Sequence, residues 1–203
     1  MRFAKLVPAI FVAALPFAAT AQSPMTTADR QFLVAYLEKT AKEFLRSIEG
    51  LTPQQWSYKP ASGGWSIAEC AEHISLAEDA LFGMDQGMLK APAKPNDPPR
   101  TREMDEKLIA MLTDRSKKAQ APEMLKPSGK FPTPASAVTQ FTEKRGRSIE
   151  FAKTTQEDLR GRVQKNQLFG DVDAYQFLLF MAAHSSRHTA QLNEVKTDAN
   201  YPK

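Results

Sequence analysis

The chain has 203 residues, 42% of them hydrophobic, enough for one buried core and without a compositional break that requires a second domain. Its lone cysteine, Cys70, excludes an intrachain disulfide, so stability has to come from packing, a bound metal or assembly. The formal charge of +4 is spread over interspersed acids and bases with no stripe that tracks phosphates, which argues against a nucleic-acid ligand.

The chain opens with MRFAKLVPAIFVAALPFAATAQS: Arg2 and Lys5, an apolar run from Leu6 to about Phe17, then small residues ending in Ala19, Thr20 and Ala21. That order predicts a cleavable secretory signal over residues 1–21, ahead of a single domain over 22–203 that is periplasmic or secreted. The apolar run is too short to span a bilayer, and no later segment offers about 18 uninterrupted apolar residues, so no membrane association is expected after cleavage. Without Arg2 and Lys5, 25 basic and 23 acidic residues leave a formal charge of +2.

Beyond this segment the apolar spacing is helical, with no alternating strand of useful length, which predicts an all-α fold. A first helix over about 28–49 starts behind Thr26 or Thr27, carries Phe32, Leu33, Tyr36, Leu37, Phe44, Leu45 and Ile48, and stops at Gly50. LTPQQWSYKPASGGW, residues 51–65, reads as a loop pressed on the core by Leu51, Trp56 and Tyr58. A second helix opens at Ser66, where Ser66 and Glu69 fit a capping box, and its stripe runs through Ile67, Cys70, Ile74, Ala77, Leu81, Met84 and Met88. The prolines of 91–99 lead to an amphipathic helix over 102–119 with Met104, Leu108, Met111 and Leu112 on one side. Behind Thr133 and Pro134 another helix turns Val138, Phe141, Ile149 and Phe151 inward. The last runs from about 173 to 196, through Tyr175, Phe177, Leu178, Phe180 and Met181 into MAAHSSRHTAQL. The long connections predict a four-helix bundle with crossovers, with the 102–119 helix as an addition.

Only three histidines occur. His184 and His188, four positions apart, stack on one helical face in the inward stripe of Phe177 and Met181. His73 lies on the inward stripe of the second helix between Cys70 and Ala77. A buried imidazole without a partner costs about 1–3 kcal/mol. One shared divalent cation satisfies all three and keeps open positions, as catalytic sites do; zinc, nickel, iron and manganese all accept such a face. The HxxxH pair by itself is a weak signal and is more often two unrelated helix-surface residues.

Neighbouring residues carry paired readings. Glu69, one turn before His73, is a general base or only the capping partner of Ser66. Cys70 brings sulfur toward the same ion or is a small packing residue. Gln191 holds a ligand imidazole from outside or packs the helix. Trp56, Tyr58 and Trp65 wall a pocket or belong to the core. Arg145 and Arg147 neutralise an anionic substrate or lie on a solvated helix face.

Taken in order, GGWSIAECAEHIS, KPSGKFPTPASAVTQF and MAAHSSRHTAQL resemble the DinB-like (YfiT-like) superfamily of four-helix-bundle metal proteins. The resemblance spans nearly the whole chain after residue 21, with Trp65, Ser66, Glu69, His73, His184, His188 and Gln191 at matching places. It implies that His73, His184 and His188 are metal ligands, and that the bundle forms a homodimer as many similar proteins do. The reaction is not fixed by it. Similar proteins include thiol-dependent transferases and isomerases, whereas an exported chain meets few low-molecular-weight thiols. The expectation is an exported metal-dependent enzyme of transferase or hydrolase type, acting on a small molecule, with zinc or nickel preferred over iron or manganese and Glu69 as proton acceptor. A non-catalytic metal- or ligand-binding bundle and a plain helical interaction protein with packed histidines are the competing readings.

Overall fold

The structure is a computed structural model and describes residues 25–94, 99–117, 120–166 and 169–203. Residues 1–21, expected from the sequence to be a secretory signal, lie outside the described residues. These contain α1 (Thr27–Ile48), α2 (Pro53–Ser57), α3 (Ile67–Met88), α4 (Arg102–Thr113), a 3₁₀ turn (Glu123–Leu125), α5 (Pro134–Thr154), β1 (Val163–Asn166), β2 (Gly170–Asp173) and α6 (Ala174–Val195).

Each α-helix begins behind a Ser, Thr or Asp whose side chain accepts a first-turn amide that would otherwise lack a partner. The predicted box at α3 is present in both directions: Glu69 N donates to Ser66 Oγ at 3.1 Å, and Ser66 N donates to Glu69 Oε2 at 2.8 Å. No described helix is long and apolar enough to cross a membrane.

Helix α6 packs on α1, α3 and α4, while α5 packs on α1 and α3. Two apolar clusters fill the interior. One gathers Leu33, Leu37, Leu81, Tyr175, Leu178 and Leu179; the other gathers Phe44, Ile48, Trp56, Ile67, Phe141 and Leu192. Residues early in α3 share a cluster with residues late in α6, so these two helices run antiparallel.

Between the clusters sits Arg145, only 1% exposed. The expectation of a solvated face fails for it, because Ala137, Phe141, Arg145, Ser148 and Ala152 form the buried stripe of α5. Its Nε donates to Glu78 Oε2 at 2.7 Å, and Nη2 donates to Glu78 Oε1 at 2.5 Å and Ser185 Oγ at 2.7 Å. Nη1 donates to the Leu37 carbonyl at 3.0 Å and Thr40 Oγ1 at 2.8 Å. One guanidinium thus joins α1, α3, α5 and α6. Arg147 is exposed as expected and pairs with Asp79.

The same phase shift corrects other positions. Val138, Met84 and Met111 were read as inward but are exposed, and Ala137, Asp85 and Leu112 take the buried places beside them. The 51–65 stretch includes the short helix α2, whose Trp56 is buried and donates from Nε1 to the Phe131 carbonyl at 3.0 Å. Helix α4 ends at Thr113 instead of 119. Asp114 leaves helical geometry and accepts from Ser116 N at 2.9 Å, while Arg187 reaches from α6 to the carbonyls of Leu112, Asp114 and Lys117. The chain is not free of strands: β1 and β2 pair antiparallel with Val163 opposite Asp173 and Asn166 opposite Gly170. Four-residue strands with mostly exposed faces carry no apolar alternation to detect.

Replacing Arg145 by Met strands the Glu78 carboxylate in the core, and removing one partner of a buried pair costs about 3–5 kcal/mol. Urea unfolding of Arg145→Met is expected to show a strongly lowered midpoint, much of it restored in Glu78→Leu/Arg145→Met; an unchanged midpoint in the single variant contradicts the buried pair.

Candidate metal centre

Helix α3 presents His73 and α6 presents His184 and His188, and one nitrogen from each ring lies within 4.8 Å of the others. Ring centroids are 4.9 Å apart for His73 and His184, 4.4 Å for His73 and His188, and 4.5 Å for His184 and His188. His73 Nε2 faces His184 Nε2 at 3.1 Å. The three rings whose spacing the sequence placed inward do converge.

Outer partners settle where the protons sit. His73 Nδ1 lies 2.8 Å from the Leu125 carbonyl oxygen, and His188 Nδ1 lies 2.7 Å from Gln191 Oε1. The carbonyl can only accept, and Gln191 Oε1 also receives Arg115 Nη1 at 3.4 Å, which orients the amide oxygen toward the ring. Both histidines therefore donate from Nδ1, and their Nε2 atoms carry lone pairs. Arg115 is itself held by Glu194 through two 2.6 Å bonds. His184 Nδ1 is buried and has no hydrogen-bond partner.

Burial holds all three rings in the neutral form. It pushes His73 down against the opposing Leu125 contact, and pushes His184 well down together with the charges of His188 and His73. His188 falls to about 3, first through burial and then through His73. Neutral imidazoles are the form that binds metal.

These residues fit a divalent ion. Two nitrogens bound to one zinc at about 2.0–2.1 Å in tetrahedral geometry lie about 3.3 Å apart, close to the Nε2 separation of His73 and His184. Walls around the rings are apolar: the Trp65 ring lies 4.8 Å from His73 and 6.1 Å from His188, and Phe180 meets His184 edge-on at 6.2 Å.

The remaining candidates separate clearly. Gln191 holds a ring from outside, and Trp65 lines the centre. Glu69 keeps its cap, and its Oε1 pairs with Lys59 at 2.9 Å. Cys70 is buried in the second apolar cluster, with burial pushing its thiol up to about 12, so it is a neutral packing residue. Trp56 belongs to the core, and Tyr58 donates to Asp198 at 2.8 Å near the chain end. Sequence reasoning missed the Leu125 carbonyl and Arg115. A backbone acceptor has no residue signature, and Arg115 fell inside what read as a continuous helix.

In the unfolded chain the three imidazoles titrate near 6.5, whereas in the fold all three are lowered, His184 well below that and His188 to about 3. The unfolded state therefore takes up protons first, and stability of the metal-free protein is lost as pH falls from about 6.5 towards 3. Urea midpoints followed from pH 7 to pH 4 are expected to decline more steeply for the metal-free native protein than for His188→Gln; parallel curves contradict the depressed ring.

"Uncharacterized protein YuaE" of Bacillus subtilis (strain 168) is 27% identical over 154 residues, covering 76% of this chain and 91% of that protein. No solved structure matches. A sequence profile of the DinB superfamily matches residues 36–192, a span that includes all three histidines, Trp65 and Gln191, and the chain belongs to that superfamily.

Proposed function

We propose that the protein is a divalent-metal enzyme of transferase or hydrolase type, with His73, His184 and His188 as ligands and a small molecule as substrate. Zinc or nickel is the preferred ion, with iron and manganese also accepted by three imidazoles. The carrying observation is the convergence of three neutral rings from two helices, two of them anchored through Nδ1. Four packed helices, α1, α3, α5 and α6, support a four-helix bundle, with α4 laid on α6 as the addition.

A bound ion supplies Lewis acidity, lowering the pKa of a water or of a substrate oxygen or thiol. The chain's own residues do the rest. Leu125 and Gln191 fix the rings, Trp65 and Phe180 keep bulk water away, and three protein ligands leave positions open for substrate. Glu69 is the proton acceptor in this reading; its Oε1 pairs with Lys59, whose side chain is 61% exposed. We read residues 1–21 as an export signal, which places the protein in the periplasm or outside the cell and favours substrates other than cytosolic thiols.

One observation favours a second reading, a non-catalytic metal-binding module: both Glu69 oxygens already have partners. Two measurements separate the readings. Elemental analysis is expected to find about one divalent ion per chain, lost in His73→Ala, with chelator lowering the melting temperature. Metal binding no tighter in the native protein than in His73→Ala overturns the centre. Glutamine also serves at the third position of a capping box, so Glu69→Gln is expected to keep metal and melting temperature while losing at least tenfold in turnover on any substrate found in a metal-dependent screen. Undiminished turnover in that variant removes Glu69 from the reaction.

A further inference from the structure

Glu72 directly precedes His73 on α3, is 1% exposed, and is no member of the three-histidine group. Its carboxylate turns to the connection between α4 and α5. Oε1 accepts from Ser128 N at 2.8 Å and Ser128 Oγ at 3.0 Å; Oε2 accepts from Gly129 N at 2.8 Å and Lys130 N at 3.0 Å. Gly129 has φ +85°, a left-handed conformation that lets successive amides point at one place. The segment forms an anion-binding nest, and the chain supplies the anion.

The same short segment carries the acceptor for His73. Leu125 closes the 3₁₀ turn three residues before Ser128, and its carbonyl takes the His73 Nδ1 proton at 2.8 Å. Two adjacent residues of α3 thus grip one piece of chain from either side of the turn's exit. Of the three rings, His73 alone is oriented by backbone from a distant part of the sequence, and residues 128–130, which follow that backbone closely, are held by Glu72.

We propose that Glu72 is a positioning residue of the metal centre: by clamping residues 128–130 it keeps the Leu125 carbonyl on His73 Nδ1, which fixes the tautomer and presents Nε2 to the ion. The inference rests on the reading of the histidines as ligands, but the clamp itself is present without any ion. Charge matters to it. A glutamine has one oxygen to accept with, and its amide nitrogen would confront N–H donors of the loop.

The test compares native protein with Glu72→Gln and Gly129→Ala. The second variant leaves the buried carboxylate untouched and acts only through the positive φ, since a Cβ at Gly129 meets nothing within 4 Å. In metal-free protein, ¹⁵N NMR of the histidine rings is expected to show His73 protonated at Nδ1 in the native chain and as a tautomer mixture in both variants. The His188 ring, held by Gln191, stays unchanged as an internal control. Zinc affinity measured against a competing chelator is expected to fall roughly 10- to 100-fold in both variants. A folded variant of either kind that keeps the native His73 tautomer and zinc affinity within about twofold overturns the proposal, that range lying well short of the effect expected for an outer partner of a ligand. Native protein that binds none of zinc, nickel, iron and manganese but shows the tautomer change in the variants refutes the metal reading and leaves the clamp standing; native protein that binds zinc with no tautomer change in the variants refutes the clamp alone.

Discussion

A fully buried guanidinium has five N–H donors to satisfy, and at Arg145 they are satisfied by groups on α1, α3 and α6 at once. This fixes how far α3 and α6 can slide past each other. Ser185 donates to Glu78 Oε1 at 2.9 Å while receiving Arg145, so the register of the two helices is pinned one residue from His184 and five residues from His73. An α-helix turns about 100° per residue, so a slip of a single position carries a ring out of the group. The histidine cluster depends on that register more than on anything local to the rings.

The interior around the cluster is more polar than a simple bundle requires, and most of it is paired. At the other end of α6, Arg160 donates to Asp105 at 2.7 and 3.0 Å, to Asp29 at 3.1 Å and to Asp173 at 3.2 Å, and lies 3.7 Å over the Tyr175 ring. That network ties α4 and the start of α6 to the start of α1, so the added helix is fastened by charge as well as by Leu108 and Leu112. Among the described residues, seven buried side-chain atoms lack a hydrogen-bond partner. Asp85 is buried with Oδ1 lacking a partner, and burial pushes its carboxyl up to about 7, outweighing the one donor on Oδ2, Gln86 Nε2 at 3.1 Å. Glu72 shows the reverse outcome: burial raises it, but the Ser128, Gly129 and Lys130 donors outweigh that and hold it below the usual range.

What could be read in advance followed from short-range rules. The Ser66 box, the Pro134 start and the i, i+4 histidine pair depend on neighbours within a turn, and all are present in the structure. Several of the failures arise because burial is decided across the molecule. Arg145 looked solvated because no local rule shows Glu78 waiting on another helix, and Val138 looked buried because a β-branched residue outweighed Ala137 in assigning the stripe. The hairpin was invisible because its strands are short and polar, and the end of α4 is set partly by Arg187 reaching from α6. Likewise, the Leu125 acceptor lies 52 residues from His73.

That separation bears on how the centre is built. His184 and His188 share one helix, so their relative placement comes with the helix itself and needs only Gln191, three residues on, to settle the second ring. His73 gets its helix from α3 but its ring orientation from a carbonyl beyond α4. Both ends of that connection are held by residues beside the ligands: Arg187, preceding His188, takes carbonyls near its start, and Glu72, preceding His73, takes amides near its end. The connection between α4 and α5 is therefore part of the centre's outer support, bearing on His73 through Leu125 and on His188 through Arg115 and Gln191.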